Sequence, residues 1–356
     1  MIPFRSLKSP LAINRQLSFQ ASIQEEGKVV RAIVVAVMVV VVAVAASFFV
    51  WLGQPLAMKP GTIDFSIEPG QTAREVATGV VQAGLEVNPT LLYLWFRLSG
   101  QSRQIKAGSY ELDGEITPKS LLRKIVRGEE AMRSFTILEG WTFQQIRDAI
   151  RKADHLKLQT SDWTARQIME KLGKPDVSPE GRLFPDTYNY AKGSSDLALI
   201  QRAMRAMDRK LEAAWQLRDA QSPLRTPEQL LVLASIIEKE TGLPSDRPMV
   251  SAVFSNRLRS GMRLQTDPSV IFGLGSAFNG NLRKIDLLTD NPWNTYTRDG
   301  LPPTPIAVPG KESLLAAARP APSRVLFFVA RGDGSSEFSE TLEAHNRAVN
   351  KYQRGQ

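Results

Sequence analysis

The 356-residue sequence predicts an α+β protein behind a single N-terminal transmembrane helix. Three observations predict it: an uncharged apolar run near the N-terminus, alternating strand patterns each followed by a capped helix, and a long apolar helix late in the chain. The apolar fraction of 43% and charged fraction of 23% are ordinary for a globular protein and exclude wholesale disorder.

Residues 32–53 read AIVVAVMVVVVAVAASFFVWLG, 22 residues without a charge. As a helix they span about 33 Å, enough to cross a hydrocarbon core of roughly 30 Å. Trp51, Phe48 and Phe49 suit the interfacial end. Arg5, Lys8, Arg15, Lys28 and Arg31 precede the run, against Glu25 and Glu26. That excess of cations puts residues 1–31 in the cytoplasm and everything after residue 53 outside. A cleavable signal would have a shorter apolar core.

Residues 54–61 hold Pro55, Pro60 and Gly61 and read as a linker. A subdomain follows over 62–131. Residues 62–67 alternate as a strand, Pro69–Gly70 turns, and Thr72 with Glu75 forms a capping box before a helix ending near Gly84. A second helix over 89–98, a strand over 106–112 and a helix over 117–126 complete a β-α-α-β-α order. The entry signal recurs at Glu139-Gly-Trp-Thr-Phe-Gln-Gln-Ile146. Either a strand–turn–helix unit is duplicated, or two capping boxes merely look alike.

Residues 132–356 form the second, larger domain. It carries helices over 142–152, 162–172, 196–217, 227–241 and 248–261, and strands over 134–138 and 325–330. The stretch 289–310 is a long loop containing Trp293 and Tyr296, a length and composition that favour binding.

The chain has no Cys and only two His, His155 and His345. Disulfides, thiolate zinc, Cys nucleophiles and lipidated Cys are excluded, and a His-built metal cage lacks ligands. No cofactor is expected. The net charge of +9 is spread thinly outside the anchor, so nucleic acid is not the expected partner.

What remains for chemistry is carboxylates, amides and hydroxyls. In Thr226-Pro-Glu-Gln-Leu-Leu-Val-Leu-Ala-Ser-Ile-Ile-Glu-Lys-Glu-Thr-Gly242 the capped helix is apolar nearly all round, so it belongs in the core. Glu238 and Glu240 fall in its last turn, where macrodipole and burial both raise a carboxyl pKa, as a general acid needs. Two positions apart, they point about 200° from each other. One should face a cleft and the other solvent or a base such as Lys239. The competing reading is two surface glutamates on a frayed helix end. Downstream, Gln265, Asp267, Trp293, Asn294 and Tyr296 interleave amides, acid and aromatics in loops, a mixture suited to carbohydrate.

Together these blocks resemble the YceG-like family. The strings are Ala234-Ser-Ile-Ile-Glu-Lys-Glu-Thr241, Phe254-Ser-Asn-Arg-Leu258, Met262-Arg-Leu-Gln-Thr-Asp-Pro268, Asn294-Thr-Tyr296, Gly300-Leu-Pro-Pro303 and His345-Asn346, with Phe184-Pro-Asp-Thr-Tyr188 upstream. The resemblance implies a LysM-like subdomain, a catalytic domain outside the inner membrane, and endolytic lytic transglycosylase action on peptidoglycan glycan strands. It makes Glu240 the catalytic acid and implies a peptidoglycan synthase partner. Gln265 and Asn294 are then expected to hold N-acetyl groups or the muramic acid 6-hydroxyl, with Tyr296 and Trp293 stacking and Asp267 in the binding set. Two departures stand out: Glu337 occupies a position where the family usually has His, and Trp293 one where Tyr is common. The rival readings are a water-using muramidase with Asp267 as second acid, and a non-catalytic wall-binding scaffold.

Overall fold

The computed structural model describes residues 10–59 and 61–355, with side chains from Arg31 onward. The cytoplasmic segment expected over 1–31 therefore lies partly outside the described residues, as does Pro60 of the expected linker. The chain divides after Ala131 into two compact units.

In the first unit, α1 (Pro10–Trp51) begins well before the apolar run and passes through it unbroken. Its stretch Arg31–Trp51, 21 residues of mean hydropathy 3.1, is exposed along its length, as a lipid-facing helix would be. The helix ends at Trp51, and Leu52 and Gly53 already turn. The expected linker is not structureless: β1 (Ala57–Met58) pairs antiparallel with a two-residue strand further on, too short to show any alternation in sequence.

The strand β2 (Ile63–Ile67) buries Ile63, Phe65 and Ile67 and exposes the residues between. In α2 (Ala73–Ala83) the Thr72–Glu75 capping box forms in both directions. The partner of β1, β3 (Leu85–Glu86), leads into α3 (Pro89–Leu98), which Asn88 caps and Pro89 starts. Next, β4 (Gly108–Leu112) pairs antiparallel with β2, Ile63 opposite Leu112 and Ile67 opposite Gly108. The last element, α4 (Pro118–Arg127), is closed by left-handed Gly128. Val80, Leu92, Phe96, Tyr110, Leu121 and Ile125 fill the core between sheet and helices.

The second unit opens with a similar succession that lacks counterparts of β1 and β3: β5 (Met132–Thr136), α5 (Phe143–Ile150), α6 (Ala165–Lys171), β6 (Thr187–Ala191) and α7 (Asp196–Gln216). Its first and last strands again pair antiparallel over five residues, Met132 opposite Ala191 and Thr136 opposite Thr187. Thr142–Gln145 closes a full capping box at the position equivalent to Thr72–Glu75. Further boxes at Thr117–Ser120 and Thr164–Gln167 show that such boxes also recur without marking a unit. The repeated order and register, rather than the box, carry the case for duplication.

The remainder is mostly helical. α8 (Pro227–Glu240) is wrapped by α7, α9 (Arg247–Ser260), α10 (Asp267–Leu274) and, beyond α11 (Lys284–Leu288), α12 (Lys311–Ala318). Leu230, Leu231, Leu233, Ile236 and Ile237 are wholly buried. Burying each such side chain contributes about 1.5–3 kcal/mol, so α8 is the axis of this unit. The hairpin of β7 (Phe327–Ala330) and β8 (Ser336–Ser339) packs under α13 (Leu342–Gln353). The stretch between α11 and α12 has no regular structure, in line with the long loop expected there.

Candidate active site

The site is built where α8 ends. Glu240 is its last helical residue, and the helix stops because Thr241 turns extended. Its carboxyl Oε1 accepts a hydrogen bond from the Thr266 hydroxyl. Burial pushes the Glu240 carboxyl up to about 7; the Asp267 charge adds to the rise, and the Thr266 hydroxyl and Arg257 oppose it. At neutral pH a large share of this group keeps its proton.

Thr266 is the residue that sequence reasoning missed. It is the N-cap of α10, and Thr-Asp-Pro reads as an ordinary helix start. Yet its hydroxyl makes no cap bond and goes to Glu240 instead. A cap bond is worth about 1 kcal/mol, and this helix forgoes it. Thr266 is itself fixed: its N–H donates to the Thr295 hydroxyl at 3.0 Å, and Ser269 and Thr295 share a hydroxyl–hydroxyl bond of 2.9 Å. Arg257 was also missed as a site residue. Held by the carbonyls of Leu264 and Leu326, it is buried and places positive charge near Glu240 and Tyr296.

The two glutamates separate as their spacing requires, but the partner differs from expectation. Glu238 pairs with Arg247 of α9 at 3.3 Å, not with Lys239, and both side chains are at most 10% exposed. Its second oxygen accepts the Gly310 N–H at 2.8 Å. A Cβ at Gly310 would lie 1.8 Å from the Glu139 carboxylate, so a side chain there would have to push that half-exposed glutamate aside. Lys239 instead reaches the Gly140 carbonyl at 3.4 Å. Glu238 is a structural ion pair. Glu240 is the acid of this helix end without a cationic side chain bonded to it among the described residues.

The expected binding residues fall on both sides of this line. Gln265 is exposed beside Thr266 with a left-handed φ of 50°, uncommon for a non-glycine residue and held by its N–H on the Thr295 carbonyl at 3.1 Å. Tyr296 donates its hydroxyl to Asp267, and burial raises its pKa. Thus Gln265, Asp267 and Tyr296 gather around the Thr266 that touches Glu240. Asn294 lies elsewhere than expected. It is fully buried, and its amide donates to the carbonyls of Asp286, Leu287 and Thr289 while its oxygen accepts the Tyr296 N–H. Four backbone groups occupy it, so it shapes the loop rather than meeting a ligand. Trp293 is half committed: its indole N–H bonds the Thr304 hydroxyl at 2.9 Å and its ring meets Phe272 edge-on at 5.5 Å. Glu337 is tied to Arg331 across the β7–β8 hairpin. His345 stacks on Phe327 at 5.3 Å, and burial lowers its pKa.

The arrangement defines a class: a single raised-pKa carboxyl with hydroxyl, amide and aromatic neighbours, able to give up a proton and take one back. Among the described residues no group of His, Asp or Glu has metal-binding geometry. A sequence model of the YceG-like family matches residues 65–351, and the chain belongs to that family. It is 29% identical to an endolytic murein transglycosylase of Bacillus subtilis (strain 168), over 82% of this chain and 85% of that one. A protein of the same name from Streptococcus pneumoniae serotype 2 (strain D39) is 27% identical over 81% of this chain, which spans 58% of the streptococcal length. The crystal structure of a YceG-like protein from Listeria monocytogenes superposes with a TM-score of 0.52 and 30% identity, covering 81% of this chain and 99% of that one.

Proposed function

We propose that this protein is a membrane-anchored endolytic peptidoglycan lytic transglycosylase. The observation that carries the reading is Glu240: one carboxyl bonded by the Thr266 hydroxyl at a buried helix end, its pKa raised by that burial, in a family whose named relatives are endolytic murein transglycosylases. Ordinary glycosidases divide the work between two carboxylates. Here one suffices. Glu240 gives its proton to the oxygen of the β-1,4 bond between N-acetylmuramic acid and N-acetylglucosamine, and that C1–O bond breaks. The carboxylate left behind then takes the proton of the muramic acid 6-hydroxyl as its oxygen bonds to C1. A 1,6-anhydro end forms, the acid is regenerated, and no water is consumed.

The neighbours divide by what they touch. Thr266 orients the carboxyl and supports its ionised form after proton transfer. Gln265, exposed on the open side, holds an N-acetyl group or the 6-hydroxyl, and Tyr296 and Trp293 lend ring surface. Residues 62–131 act as a LysM-like unit, a reading supported by their β-α-α-β order. With α1 in the inner membrane and its N-terminus in the cytoplasm, cuts fall on glycan close to the membrane. That suits terminating or trimming nascent strands, with a peptidoglycan synthase as partner.

The test is Glu240→Gln. The substitution keeps the shape and removes the proton, so the variant should fold normally and lose about 10²–10⁴-fold in glycan cleavage. Near-normal turnover would remove Glu240 from the mechanism.

A further inference from the structure

A feature of the first unit is unused by the reaction. Between α3 and α4 lies a cavity of about 360 Å³, lined by Trp95, Ser99, Gln101, Lys119, Arg123 and Arg127 among others. Lys119, Arg123 and Arg127 are spaced at i, i+4 and i+8, so they stack on one face of a ten-residue helix. Like charges so placed repel one another, and all three are exposed. Arg127 reaches Glu129 at 3.7 Å in an open pair. Among the described residues, no acid is paired with Lys119 or Arg123. The cavity has positive charge and no negative charge on its lining.

Its position gives the charge a meaning. The Trp95 ring meets Phe48, in the last turns of α1, at 6.5 Å, and its indole N–H donates to the Pro118 carbonyl at 3.0 Å. The Lys119 N–H donates to the carbonyl of Leu52, just beyond the end of α1, and Leu56 N–H to the Ile116 carbonyl at 2.7 Å. The start of α4 is thus hydrogen-bonded to the end of the apolar helix. On the stripe of α3 beside Trp95, Leu94 and Leu98 are 43% and 65% exposed. Leucine, tryptophan and a row of cations meet at the level where an apolar helix leaves a bilayer, which is where lipid phosphates lie.

We propose that this α3–α4 face is a headgroup site: Lys119, Arg123 and Arg127 hold the phosphate of an anionic membrane phospholipid, while Leu94, Trp95 and Leu98 rest against its acyl boundary. The site fixes the depth and tilt of the first unit against the bilayer. It rests on the reading of α1 as a membrane anchor. It is independent of the chemistry at Glu240.

The full chain, purified in a neutral detergent, is examined by native mass spectrometry with phosphatidylglycerol and phosphatidylcholine of matched acyl chains. Wild type should retain phosphatidylglycerol preferentially. That preference should fall about fivefold for each cation removed in Lys119→Gln and Lys119→Gln/Arg123→Gln, with unchanged circular dichroism. Equal retention of the two lipids by wild type, or an undiminished preference in the folded variants, would overturn the proposal. An equal concentration of inorganic phosphate should not displace the lipid; displacement would make this a site for a soluble anion. Alkaline carbonate washing of membranes checks the anchor separately. Release of the chain by carbonate would overturn the anchor and with it the placement of this site at the bilayer, whatever the lipid preference in detergent; a retained chain with no such preference would overturn the headgroup site alone.

Discussion

At Glu240 the helix terminus and the packed interior act in the same direction. Both disfavour a carboxylate, and the Thr266 hydroxyl acts against them. Two outcomes follow from those signs. With the protonated form active, cleavage should decline as pH rises above about 7. Thr266→Val deletes the donor that favours the ionised form, so the alkaline limb should move to higher pH, measured as kcat/KM against pH. A limb that stays in place would remove Thr266 from any role in setting the proton. Stability carries the same signature. The raised pKa of folded Glu240 makes a contribution that is fully present below the unfolded value of 4.5 and lost as pH rises through about 7. Glu240→Gln should therefore gain thermal stability relative to wild type between pH 5 and 8, by on the order of 3 kcal/mol. Buried Glu180, also raised to about 7, is common to both proteins and cancels in the comparison.

At the scale of elements, the ends of α8 were easier to read than its surroundings. Thr226, Pro227 and the apolar run mark the helix, and the two acids at its tail are visible in any helical projection. Their division of labour was not visible, because it depends on Arg247 from the next helix and Gly310 from a distant loop. Short strands hid for a similar reason. β6 (Thr-Tyr-Asn-Tyr-Ala) and β8 (Ser-Glu-Phe-Ser) are defined by their partners, β5 and β7, rather than by strong alternation. Thr266 and Asn294 look in sequence like any cap and any loop amide, and only their partners tell them apart. The Glu238–Arg247 pair holds the tail of α8 in place. Arg247→Ala would strand a buried carboxylate and should cost about 3–5 kcal/mol of unfolding free energy. The alkaline limb of the surviving activity should keep its position, since Glu238 is bonded to Arg247 and Gly310 and not to Glu240. Unchanged stability in a denaturant melt would mean the pair does not hold the helix end.

For the whole molecule, sequence and structure agree on a mixed α+β class behind an exposed N-terminal apolar helix, and the structure divides after Ala131 into two units, the larger organised around one buried helix. The linker that proved to contain β1 is the main revision at this scale. In the proposed mechanism one carboxyl acts first as acid and then as base, so each cut would end with an internal ether and add nothing to the glycan. Purified uncrosslinked glycan strands digested by the full-length protein, with the new ends weighed by mass spectrometry, test this most directly. The expected result is fragments lacking one water relative to hydrolysis, with 1,6-anhydro muramic acid ends that resist borohydride reduction. Reducible ends of full hydrolytic mass would contradict it and would pass the second half of the reaction to a water molecule and another acid, Asp267 first among them.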